Sequence, residues 1–188
     1  MIWFKISGWT HTGGNVAVSQ KRPISIQDAS EQLVSFAIDR EDLKLIIDSL
    51  PDDQGINTIS LDYELQILKI ISVGWSISVY MDGQQNKAEL AETFWKSIHE
   101  FSKNISEVSY LTIGKDIDYF QIIRDRLDFY VSSLNNAGKD GDPAAFIGGA
   151  FAGNCKDMDN PFVAITGSRI FHLAAIGVKE YLASIDVQ

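Results

Sequence analysis

INTISLDYELQILKIISVGWSISVYM, residues 56–81, is the most β-rich part of the chain, and its reading decides the fold. Isoleucine and valine dominate it, and β-branched side chains suit a pleated surface. Trp75, Ile77, Val79 and Met81 alternate with Gly74, Ser76, Ser78 and Tyr80, a period of two. Breaks at Asp62-Tyr63 and Val73-Gly74 divide the stretch into INTISLD, ELQILKIISV and GWSISVYM, which predicts an antiparallel meander. PDDQG at 51–55 is a turn before it, and MDGQQN at 81–86 ends it.

The flanks extend this reading. Ile2, Phe4 and Ile6 alternate with Trp3, Lys5 and Ser7, a strand pattern; Gly13-Gly14 offers a turn, and NVAVSQ at 15–20 returns as a second strand. Residues 25–51 read mainly as helix. Leu43, Ile46, Ile47 and Leu50 share a face before Pro51, while Leu33–Ile38 fits a strand or a helix. Asn86 and Glu89 open another helix with Leu90, Phe94, Ile98 and Phe101 on one side. EVSYLTI, 107–113, reads as a short strand, 114–134 as the clearest helix, and 162–165 as a strand leading into a helix from Ser168. The pattern predicts an α+β fold: an antiparallel sheet, mostly from residues 1–82 with one or two later strands, packed against helices from the C-terminal half. A length of 188 residues fits a single domain, 1–188.

DPAAFIGGAFAGNCKDMDNP, 142–161, reads as a short helix. Asp142 is its N-cap, Pro143 its first residue, and Gly153-Asn154 its end. Gly148 and Gly149 predict close approach of another helix, for which Ala174, Ala175 and Gly177 are the expected partners.

Charge narrows the function classes. Asp plus Glu number 25 against 16 Lys plus Arg, a net charge of -9. Such a chain repels a phosphate backbone, and it has no Lys/Arg run, so no nucleic-acid partner is expected. No apolar stretch approaches a membrane span and the N-terminus lacks the pattern of a signal peptide, so no membrane partner is expected. The one cysteine, Cys155, cannot form an intrachain disulfide and fits a reducing, cytoplasmic compartment.

Motifs for nucleotide binding and for the hydrolase elbow are absent from the sequence. His11, His99 and His172 are scattered, so neither a metal site nor a cofactor is expected. Two functional readings come from this. The first is a non-catalytic acidic protein-binding module, such as an inhibitor or immunity-type protein that masks a basic partner. Tyr63, Trp75 and Tyr80 would be its aromatic anchors, and Asp140, Asp142, Asp157 and Asp159 its acidic contacts. The second is a hydrolase-like enzyme whose nucleophile is Cys155, with His172 and Asp157. A subunit of a larger assembly is a third reading, differing from the first in the permanence of contact.

Overall fold

The computed structural model describes residues 21–51, 55–136 and 142–188. The two strands expected within 1–20, and Asp140, lie outside the described residues. Of the described residues 78% are helical, and their sheet has two short parallel strands. The expected antiparallel α+β sheet is therefore corrected: the architecture is a helical bundle.

Strand β1 (Arg22–Ile24) leads into α1 (Ile26–Ile38) and α2 (Glu41–Asp48). Next come α3 (Thr58–Tyr80), α4 (Lys87–Ile113), α5 (Tyr119–Asn136), α6 (Pro143–Asn154), α7 (Pro161–Ser184) and β2 (Ile185–Val187). The strands pair in parallel, with Arg22 opposite Ile185, and so tie the two ends of the described bundle together.

Residues 56–81 are the axis of the fold, not a meander. Leu61, Leu65, Ile67, Leu68, Ile70, Ile71, Val73 and Ile77 are all buried, on every side of α3. A helix that is apolar all round is stable when other helices cover it, and α1, α2, α4, α5, α6 and α7 all pack on α3. That burial overrides a β preference whose whole range is about 1 kcal/mol per residue. Asn57 starts the helix by accepting from the Ser60 N–H at 3.1 Å. The two expected breaks are helical packing features. Asp62 pairs with Arg40 of the α1–α2 corner. Gly74 gives way to the Trp95 ring, which occupies the space a Cβ would need.

Most of the buried polar residues on α3 find partners, though Ser76 Oγ and Gln66 Oε1 do not. Gln66 donates to Ala37 O at 2.8 Å, Lys69 reaches the Asp39 carbonyl, and Ser72 donates to Leu68 O within the helix. The later expected strands are also helical. Residues 107–113 are the last two turns of α4, which ends where Gly114 takes φ 66°. Residues 162–165 belong to α7, which begins at Pro161 with Asn160 as its cap. This helix is long and apolar enough to cross a membrane, and 44% of its most apolar window is buried against the bundle.

Asp142 caps α6 as the sequence predicts, accepting from the Ala144 N–H at 3.1 Å with Pro143 in the first turn. The two glycines of α6 have different surroundings. A Cβ on Gly148 would stand 2.5 Å from Ala164 O and collide with Ser168, so α7 does approach here, though at Ala164 rather than at Ala174, Ala175 and Gly177. Gly149 faces open space. Gly148→Ala is therefore expected to destabilise the protein by about 1–3 kcal/mol, since backbone cannot yield to it. Gly149→Ala is expected to stabilise it by about 1 kcal/mol through helix propensity alone. Paired thermal melts of the two variants check both signs.

Candidate functional site

The α6–α7 connection carries the site's most unusual backbone. The Asp157 N–H donates to Ala152 O at 3.0 Å and the Lys156 N–H to Gly153 O at 3.1 Å, closing α6 in a Schellman turn. Such a turn needs a left-handed residue, normally glycine; here it is Lys156, at φ 58°. Conformations of this kind cost energy in non-glycine residues and concentrate at functional positions.

This turn forms one wall of a cleft of about 670 Å³. The opposite wall is the N-terminal end of α3 with Asn57, Ser60 and Tyr63, and α5 contributes Arg126. Arg126 meets Glu64 through two hydrogen bonds, Nε to Oε2 at 2.9 Å and Nη2 to Oε1 at 2.7 Å. This side-on pairing fixes the planar guanidinium and leaves Nη1 outside the pair. Hydrogen bonding to Glu64 raises the Arg126 pKa, so its charge is permanent.

Cys155 lies on the same wall as Lys156. Burial pushes its thiol up to about 12, and the carboxylates of Glu64 and Asp157 push in the same direction. A nucleophilic cysteine needs the opposite environment. Behind it stands Tyr130, 1% exposed, whose pKa burial also raises. Asn154 Nδ2 faces the Tyr130 hydroxyl closely enough to oppose that rise, yet neither buried atom completes a hydrogen bond of ordinary geometry.

The structure separates the residues of the hydrolase-like reading. Cys155 and Asp157 share the cleft, where Asp157 accepts from Asn160 Nδ2 at 3.1 Å. His172 is exposed on α7. It follows the cleft residue Val163 by nine positions, which places it half a turn out of phase and about 13 Å further along the axis. Iodoacetamide is expected to alkylate Cys155 on the order of a hundredfold or more slowly at pH 8 in the folded chain than in urea, because so little thiolate is present. Mass spectrometry of timed samples measures the ratio. The raised pKa also weakens the fold in base. The thiol's stabilising contribution is full below its ordinary pKa of 9.0 and is lost as pH rises towards 12.

The other expected contact residues do not form one surface. Tyr63 lines the cleft and packs edge-on against Tyr119 at 5.7 Å. Trp75 is half-buried against Phe171 at 5.1 Å, and Tyr80 lies beneath the Lys179 ammonium. Asp142 is occupied as a helix cap and Asp159 is exposed. His99 stacks on Phe120 at 4.6 Å, and among the described residues no group of three or more His, Cys, Asp or Glu could hold a metal ion.

A second surface was hidden by the strand reading of 107–113. As the end of α4, this segment exposes Val108 and Tyr110 at 60%, Ile113 at 59% and Leu111 at 82%. Just before it, the Tyr119 N–H donates to Ser106 Oγ at 3.2 Å. No known protein family, curated protein or solved structure matches the chain.

Proposed function

We propose that the protein is a non-catalytic acidic binding module that masks a basic protein partner, in the manner of an inhibitor or immunity-type protein in the cytoplasm. The observation that carries this reading is the end of α4, where four large apolar side chains stand in solvent. At helical spacing Val108 and Leu111 share one side of α4 and Tyr110 and Ile113 another, so the helix end is apolar around its girth, and exposed apolar surface marks interaction sites. Glu107, Asp116 and Asp118 are exposed around it against a single lysine, Lys115, in the same stretch. An apolar centre with an acidic rim suits a partner whose basic rim surrounds an apolar patch: buried side chains supply affinity and charge guides the encounter. The net charge of -9 favours a basic partner over a second acidic copy of this chain. The high pKa of Cys155 and the remote His172 favour binding over nucleophilic catalysis.

The test is capture from native lysate with tagged wild type and with Leu111→Ser, whose exposure predicts a stability change within about 0.5 kcal/mol. One stoichiometric basic protein is expected from wild type, weakened by added salt and lost with Leu111→Ser. Retention of the same protein by Leu111→Ser, or no stoichiometric partner at either salt, overturns the reading. Ile59→Ser, at another exposed apolar position, serves as the control that keeps the partner.

A further inference from the structure

The geometry points to a ligand for the cleft between α3, α5 and the α6–α7 turn: we propose that it binds a small aliphatic monocarboxylate. This site is separate from the end of α4 and does not depend on the protein partner.

Its volume of about 670 Å³ lies within the range of small-molecule sites. Among its donors are Arg126, Lys156 and Asn154, set beside the carboxylates of Glu64 and Asp157. Arg126 is held edge-on by Glu64 and keeps Nη1 for another acceptor. Lys156 brings an ammonium to the rim from a backbone conformation that its side chain disfavours. Asn154 Nδ2 is buried in the wall without a completed hydrogen bond. The α3 end adds the positive pole of a helix 23 residues long. A guanidinium edge beside further N–H donors is the arrangement that takes a carboxylate.

The acids limit the ligand to one charge. Glu64 is spent on Arg126, while Asp157 retains one oxygen beyond its bond from Asn160. The two acids offset the charges of Arg126 and Lys156, so the lining has no cation to spare. A single carboxylate uses the donors of Arg126 and Lys156, and a second anionic group would find no cation left for it. Ile56, Leu61 and Val163 supply the apolar lining for an aliphatic body.

Sodium isobutyrate is the probe, titrated into the full chain at fixed ionic strength against sodium chloride, with backbone amide shifts as the readout. Saturable shifts are expected at Gly55, Asn57, Asn154 and Lys156. Lys156→Gly keeps the left-handed turn and removes the ammonium. It is expected to weaken binding about tenfold, the effect of losing one charge-assisted contact. Lys179→Gln, away from the cleft, leaves the affinity unchanged. Equal shifts with chloride, linear shifts without saturation, or an unchanged affinity in Lys156→Gly each overturn the proposal.

Discussion

Lys69→Ala is expected to remove about 3–5 kcal/mol of stability, the loss that follows when one partner of a buried ion pair is deleted. Lys69 is 1% exposed in the middle of α3. Its ammonium donates to Asp39 O and to Asp42 Oδ1, both at 2.8 Å, and lies 4.8 Å from the centre of the Phe36 ring. The lysine thus fastens the α1–α2 corner to the central helix. Deleting it leaves the Asp42 carboxylate without its cation, with only the Leu43 N–H as donor, strips the Asp39 carbonyl of the ammonium and opens a cavity as well. Against a total stability of about 5–15 kcal/mol the loss is large. Lys69→Met fills the space but leaves Asp42 unpaired, so it is expected to recover only the cavity part. The double change Lys69→Met/Asp42→Leu removes both charges and is expected to approach wild type. Urea midpoints for the four proteins measure this. A Lys69→Ala loss below about 1 kcal/mol would mean that water reaches Asp42 and that the corner is not closed by the pair.

The same lysine shows why α3 was illegible as a helix. In a strand of period two, Glu64, Gln66, Ser72 and Ser76 would share one face and Lys69 would stand on the other. In the structure all of them are buried, and the partners that permit burial for Glu64, Gln66 and Lys69 come from α5, from Ala37 and from Asp39 and Asp42. Such partners are distant in sequence; Glu64 and Arg126 are 62 residues apart. An apolar run that fits either period is decided by what covers it, and only its length without proline signals a helix. The surface helices were legible because one face repeats at helical spacing, as Leu90, Phe94 and Ile98 do on α4. One cap was legible for the same local reason: Asp142-Pro143 needs no distant partner. Strand β2 has three residues and pairs with the far end of the described chain, so no local pattern marks it. In the cleft, Cys155 and Asp157 were legible through the glycine-rich turn, whereas Arg126 on its opposite side was not. The exposed end of α4 was hidden by apolar residues that suit a strand equally well.

Phe151→Ala is expected to cost about 3–5 kcal/mol, the range for emptying a buried aromatic site. Phe151 is wholly buried on α6, and its ring rests on Gly167 of α7, where an added Cβ would lie 2.6 Å from the ring carbons. The phenylalanine fills the space that the glycine leaves open, so the two positions should couple. Gly167→Ala alone forces the ring aside and is expected to cost about 1–3 kcal/mol despite its better helix propensity. Phe151→Leu alone loses ring contacts and leaves a small void. Combined, the smaller leucine makes room for the new methyl, so the double variant should be more stable than the sum of the single losses by about 1 kcal/mol. Urea denaturation of the full cycle tests this coupling. Strict additivity would mean that α6 and α7 separate freely at this contact, and the Gly148→Ala penalty would then vanish with it, because the same helix spacing sets both.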